Sequence, residues 1–261
     1  TITDPRGVDL NYYKPLGQTE EMADIDRRTI KACTSMGIMM TDTCVNYQTI
    51  MPPVYGDHVA YGDTGVVIYS NSVCGARSNY EGGPSALAAG LTGRTPKYGL
   101  HLVENRMPTK RFRIKHQPKG LTDWGVLGAI VGRILGSYWE IPLIEGLEII
   151  PNSDEMKHLG AAMASYGSTP LFHLHNITPE AKNMQIEQFS QLDLIDINLS
   201  HFETLKSSFG HKGDKIDVVV FAAPQLSIFE MQKVAELCVD KSFKVPVIIC
   251  TSPQVYSDAS R

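Results

Sequence analysis

Two continuous apolar runs flanking a well-capped helical segment, in the last third of the chain, constrain the fold most. "KIDVVVFAAP" at 215–224 and "KVPVIIC" at 244–250 read as buried strands, rich in β-branched residues and without the alternation of a half-exposed strand. Between them Ser227 and Glu230 have the spacing of a capping box, which predicts a helix over 227–239. Strand, helix and strand in that order imply a parallel βαβ unit. Ligands of such sheets sit beyond the carboxyl ends of the strands, so the loops after residues 222 and 249 are candidate site walls.

The rest of the chain also reads as α/β. Residues 19–36 predict a helix with Thr19 as N-cap and Gly37 as stop, followed by a short strand at 38–40 that delivers Asp42 and Cys44 to its end. "GVVIYS" at 65–70 reads as another strand, and Pro84 opens a small-residue helix, "SALAAGL", suited to close packing. "TKRFRIKH" at 109–116 alternates with period two and predicts a half-exposed strand, its basic side either solvated or facing a partner. Glycines at 125, 128, 132 and 136 mark 124–139 as a tightly packed internal helix. A helix at 153–166, a strand at "TPLFHLHN" and a helix opened by Thr178-Pro179-Glu180 complete the pattern. The organisation expected is an α/β region over 1–122 carrying the cysteine and glycine-rich loops, then a parallel-sheet region over 123–261. The chain opens at Thr1 in what reads as the end of a strand. It closes at Arg261 as a strand leads into the next element, so it is expected to be an incomplete large domain.

Composition narrows the function classes. With 24 basic and 28 acidic side chains the formal charge is -4, which argues against a nonspecific grip on nucleic acid. No apolar run of about eighteen residues spans a bilayer, and no signal-type segment precedes the domain. Cysteines at 33, 44, 74, 238 and 250 are odd in number and widely spaced, unlike a secreted disulfide scaffold. A reducing cytoplasm is the expected compartment. Neither GxGxxG nor GxxxxGK[ST] occurs, so a dinucleotide or nucleoside triphosphate is not the expected ligand.

Chemistry-bearing residues gather around 42–101. Cys44 and Cys74 each follow a predicted strand and are either soft metal ligands or small buried side chains. Cys250 is a further possible ligand, with core packing as its alternative, while Cys33 and Cys238 fall inside predicted helices. Arg77 and Arg94 lie in glycine-rich turns, where a guanidinium can hold a carboxylate through two parallel hydrogen bonds. Asn71, Asn79 and Glu81 either orient a substrate or stabilise the turn, and Ser78 is a candidate substrate contact or proton-transfer group. His58 and His101 are candidate proton-transfer groups. His173 and His175 share a strand face and read as a polar surface or a metal pair.

"NSVCGARSNYEGGPSALAAGLTGRTPKYGLHLVENR" at 71–106, preceded by "TDTCVNY" and "YGDHVAYGDTGVVIY", resembles the large subunit or large domain of aconitase X. The resemblance continues through "GSTPLFHLHNITPEA" and "DVVVFAAPQLS". It implies an aconitase-superfamily-like α/β fold, a hydro-lyase activity and a small swivelling partner, either a subunit or a fused domain. It further implies an iron-sulfur cluster, 2Fe-2S or 4Fe-4S, with Cys44 and Cys74 as ligands and a further cysteine expected beyond Arg261 rather than at Cys250. The general base stays unassigned, because the small domain can supply it. The implied substrate is a small hydroxy acid: cis-3-hydroxy-L-proline first, phosphomevalonate as the alternative. A structural subunit without turnover is the competing class.

Overall fold

The computed structural model of the chain describes residues 2–3, 6–210, 213 and 215–260. A short parallel pair, β1 (Ile2–Thr3) and β2 (Met39–Met40), brackets helix α1 (Glu20–Ser35). Thr19 caps that helix by accepting from the Met22 amide at 3.2 Å, and Gly37 leaves it at φ +77°, a left-handed conformation that glycine adopts without a Cβ penalty. Helices α2 (Thr64–Ser72) and α3 (Gly83–Thr92) follow.

The segment expected to form a strand at 65–70 is therefore α2. The Asp63 carboxylate accepts from the Val66 amide at 3.1 Å and nucleates the first turn. Val66 through Ser72 are all buried, so no polar stripe marks a helical period in the sequence. The small residues of α3 do not serve close packing either, since none of its residues is fully buried.

The middle of the chain builds the main sheet. Its strands are β3 (Lys110–Ile114), β4 (Pro142–Glu145), β5 (His173–Leu174) and β6 (Leu194–Ile197), all parallel in the order β5-β4-β3-β6. Strand β3 alternates as expected but is not half-exposed, because it lies between β4 and β6 and Arg111 is only 8% exposed. Glu145 on β4 neutralises the basic side, accepting from Arg111 Nη2 and Arg113 Nε, each at 2.8 Å. Burial alone raises the Glu145 pKa, but the two arginines outweigh it and hold it below the usual carboxylate range. The strand expected over "TPLFHLHN" is confined to β5, and the helix expected after Thr178 is a single 3-10 turn at Pro179–Ala181.

Helices α4 (Gly120–Leu135) and α5 (Ser153–Gly167) pack backbone to backbone beside this sheet. A Cβ on Gly128 would stand 2.1 Å from the Leu159 carbonyl oxygen, and one on Gly132 would stand 2.4 Å from that of Met163. The glycines of the apolar helix are thus the contact that lets the two helices approach. Helix α6 (Leu199–Ser207) closes the core, in which Phe112, Trp124, Leu127, Leu159, Phe172 and Phe202 are among the buried side chains.

Last come β7 (Val219–Leu226), α7 (Ile228–Cys238), β8 (Val247–Thr251) and α8 (Pro253–Ala259), with β7 and β8 paired in parallel. The predicted βαβ unit and its capping box are present: Ser227 accepts from the Glu230 amide while Glu230 accepts from that of Ser227. The expected burial is not. Val220 and Phe221 are 50% and 43% exposed, because among the described residues β7 pairs with β8 alone and its faces stay open. No helix among the described residues is long and apolar enough to cross a membrane.

Two glycines of α4 test the packing. Gly128→Ala should lower unfolding free energy by about 1–3 kcal/mol, since the added methyl meets backbone that cannot swing away. Gly125→Ala, with nothing within 4 Å of the new methyl, should raise it by roughly 0.5–1 kcal/mol. Denaturant titrations of both variants measure the two values, and equal effects would exclude the close approach.

Candidate functional site

The turn after α2 is laced to the segment before it. Gly56 donates to the Gly75 carbonyl at 2.9 Å, Arg77 to that of Asp57 at 2.7 Å, and Val59 to that of Arg77 at 3.0 Å. This short parallel contact sets His58 beside Arg77. Loop 95–104 completes the wall, giving a cleft of about 560 Å³ lined by His58, Arg77, Thr95, Lys97, His101 and Glu104. His58 and His101, 43 residues apart, meet with their Nδ1 atoms 2.9 Å from each other. Their rings stack at 5.1 Å between centroids. His101 is buried and His58 exposed. Burial, joined by the neighbouring His58, lowers the His101 pKa below the ordinary imidazole value. Arg77 Nε is shielded from solvent and has no hydrogen-bond partner among the described residues.

Three other candidate residues brace the loop, the turn-stabilising alternative for Asn71 and Asn79. Asn71 Nδ2 donates to the carbonyls of Ser78 and Pro170, each at 2.9 Å, and its Oδ1 accepts from the Ser78 amide. Ser78 Oγ accepts from the Tyr61 amide and donates to the Asn79 carbonyl. Asn79 Oδ1 accepts from the Leu100 amide at 2.7 Å and from the Tyr138 hydroxyl at 3.1 Å. All three are buried, and these bonds occupy them. Arg94 follows the left-handed Gly93 that ends α3 and is exposed, outside the cleft lining.

A residue that the sequence did not single out holds these pieces together. Arg106, 2% exposed, donates from Nε and Nη2 to the two oxygens of Glu180 at 2.7 and 2.9 Å. Its remaining donors reach Asn71 Oδ1 and the carbonyls of Asn71, Ala76 and Leu100. His173 is buried, with Nε2 2.8 Å from the Arg106 carbonyl, and His175 Nε2 meets the Met184 carbonyl. They form neither an exposed polar face nor a metal pair, since each ring has its own backbone partner.

Cys44 and Cys74 border one small apolar cluster built on Val45, Tyr47, Val66 and Tyr69. Burial pushes the Cys74 thiol up to about 11. Cys250 lies on β8, next to Thr251, whose register partner is Leu226 at the end of β7. Among the described residues no group of three or more Cys, His, Asp or Glu side chains is gathered as for a metal ion. Cys33 and Cys238 lie in α1 and α7, as expected. A second cleft, of about 340 Å³, opens beyond the carboxyl ends of β7 and β8, with Val45, Gln48, Ser153, Asp154, Ser227 and Gln254 in its wall.

Family models for the aconitase X first, second and third domains match residues 1–104, 108–207 and 216–261. The chain belongs to the aconitase X family. The aconitase X crystal structure from Thermococcus kodakaraensis (holo-form) superposes with a TM-score of 0.89 at 34% identity, covering all of this chain and 64% of that one. The phosphomevalonate dehydratase large subunit of Methanothermobacter thermautotrophicus is 35% identical over 98% of this chain and 63% of its own length. That of Thermococcus kodakarensis is 36% identical over 95% of this chain and 64% of its own. The cis-3-hydroxy-L-proline dehydratase of Hypocrea jecorina is 30% identical over 97% of this chain and 44% of its own. The chain thus spans less than two thirds of these relatives.

One buried polar network ties the three aconitase X domains together beside Cys44. Lys157, buried on α5, bonds Glu230 on α7, donates to the Gln225 carbonyl at 3.1 Å and lies 3.3 Å from Asp154. Glu230 also bonds His158 Nε2 at 2.6 Å, and Ser227 donates to Asp154 at 2.6 Å. From the first domain, Thr43 donates to Gln225 Oε1 at 2.5 Å and Gln48 to Asp154 Oδ1 at 3.2 Å. Burial alone raises the Glu230 pKa, yet the hydrogen bonds from His158 and Lys157 outweigh it and bring it to about 2.

A carboxyl at about 2 in the folded chain, against an ordinary 4.5, stabilises fully above the ordinary value. That stability is lost as pH falls from about 4.5 toward 2. Glu230→Gln should lower stability at neutral pH by on the order of 3 kcal/mol and flatten the acid limb over that interval. Urea unfolding at a series of pH values measures this. An unchanged acid limb would remove Glu230 as its source.

Proposed function

We propose that this chain forms the catalytic large-subunit portion of a hydro-lyase that dehydrates phosphomevalonate. The supporting observation is the ordering of the relatives. Large subunits named for phosphomevalonate dehydration match at 33–36% identity, against 27–30% for the hydroxyproline dehydratases. This ordering favours phosphomevalonate over cis-3-hydroxy-L-proline, the substrate that the resemblance put first. The cleft lining carries Arg77 and Lys97 together with Glu104, and its two cations are the groups that would hold the carboxylate and the phosphate of such a substrate.

In the proposed reaction the hydrogen next to the carboxylate and the neighbouring hydroxyl leave together as water, and a carbon–carbon double bond remains. No electrons are gained or lost. Arg77, in the cleft lining, holds the carboxylate through its guanidinium. His58 and His101 hold and move a proton at the cleft wall. Cys44 and Cys74 fit a soft metal group, being two thiols on the rim of one apolar cluster. They would supply thiolates to an iron-sulfur cluster, which when bound provides the Lewis acid that eases hydroxyl departure. A small partner subunit or domain, the rest of the large subunit and a cytoplasmic setting belong to the same proposal.

The test is product analysis after anaerobic iron and sulfide reconstitution of the full-length large subunit with its small partner. Phosphomevalonate should lose water and cis-3-hydroxy-L-proline should not. Preferred turnover of the proline would reverse the substrate choice. Stable assembly with a cluster but no dehydration of either would leave a structural subunit. Arg77→Lys should reduce kcat/KM about 100-fold while the thermal midpoint holds, because a point charge cannot replace a bidentate fork.

A further inference from the structure

The two facing imidazoles pose a question that the proposed reaction alone does not answer: which nitrogen carries the proton. Each neutral ring has one N–H and one lone pair. With the Nδ1 atoms 2.9 Å apart, one ring must donate and the other accept. If His101 donates, its Nε2 is bare and His58 carries its proton on Nε2. If His58 donates, His101 carries the proton on Nε2, and the lone pair of His58 Nε2 is left available.

The surroundings of His101 Nε2 decide between these. Thr95 Oγ1 is 3.2 Å away and can donate or accept. Glu81 Oε1 is 3.6 Å away, buried, and has no hydrogen-bond partner among the described residues. A carboxylate can only accept, so a bare Nε2 would set lone pair against lone pair in a site removed from water. Glu81 is itself held in place: its amide donates to the Tyr61 carbonyl at 3.0 Å, and Ser85 donates to its other oxygen at 2.8 Å. We propose that Glu81 is a positioning residue that holds the proton of His101 on Nε2, thereby fixing His58 as the Nδ1–H tautomer with a bare Nε2 available as the proton acceptor of the cleft. This deepens the hydro-lyase reading, since it names the base on this chain and the residue that sets it. The tautomer itself does not depend on that reading.

The chain of contacts runs Glu81, His101, His58, from the buried end to the exposed one. The charged groups around it are Arg77, Lys97 and Glu104 in the cleft wall, Asp57 beside His58, and Glu81 with Arg106 behind His101. Burial, joined by the neighbouring His58, holds the His101 pKa below the ordinary imidazole value.

The test is nitrogen NMR on the assembled protein labelled at histidine, with His58→Gln and His101→Gln variants to assign the signals. The unmodified protein should show His58 protonated on Nδ1 and His101 on Nε2. Glu81→Leu should mix the tautomers, because Thr95 is then free to donate to His101. Glu81→Gln, whose carbonyl still accepts, should restore them. In turnover assays Glu81→Leu should lower kcat at least 10-fold with KM within twofold, and Glu81→Gln should recover most of the loss. A His58 found protonated on Nε2, or tautomers unmoved in a folded Glu81→Leu protein, would overturn the proposal. Correct tautomers without dehydration would overturn the hydro-lyase reading and leave the role of Glu81 standing.

Discussion

Every nitrogen of the Arg106 guanidinium donates within the chain, and the groups it reaches come from four separate stretches: Asn71, Ala76, Leu100 and Glu180. A buried cation is tolerable only when its donors are met, and removing one partner leaves a charge that nothing compensates. That requirement fixes relative position as well as energy. The end of α2, the turn carrying Arg77 and the loop carrying His101 cannot move apart without stranding part of the fork. The cleft is assembled from residues distant in sequence, and Arg106 makes their spacing a property of the fold.

A second constraint works at the other side of α5. The glycines of α4 allow α5 to lie against it at backbone distance, and Gly160 of α5 faces Ile68 and Phe172, 3.2 Å from a would-be Cβ. Helix α5 is therefore gripped from both flanks before its polar residues are placed. Asp154, Lys157 and His158 then reach the third domain through Ser227, Gln225 and Glu230. Buried ion pairs of this kind add little net stability over apolar packing but tolerate few alternative arrangements. In this chain they set the register of three domains around the loop that bears Cys44.

How much of this was legible follows from the range of each signal. Thr19 and Ser227 with Glu230 act within one turn of their own helix, and the spacing of Gly128 and Gly132 marks a tightly packed face, so the sequence displays both. The run at 65–70 misled because a helix buried on all sides carries no amphipathic period, and only Asp63 hinted at it. Alternation marks β3 as a strand but not its burial, because Glu145, the partner that permits burial of Arg111, lies 34 residues on. Arg106 had no local mark at all, since Glu180 is 74 residues away. His58 and His101 were both visible as candidates; their direct contact was not.

The last turn of α2 links the two halves of the site. Tyr69 packs in the cluster bordered by Cys44 and Cys74 and hydrogen-bonds Ser153 at the start of α5. Two residues later Asn71 binds Arg106 and, through Ser78, sets the turn that carries Arg77. Residues at i and i+2 face different sides of a helix, so one turn addresses the sulfur-lined side and the basic cleft at once. Helix α2 is held by the burial of Val66 through Ser72 and by the approach of Gly160, rather than by helix propensity, which is low for its β-branched run. One short helix thus braces both the loop that carries Arg77 and the apolar cluster bordered by Cys44 and Cys74.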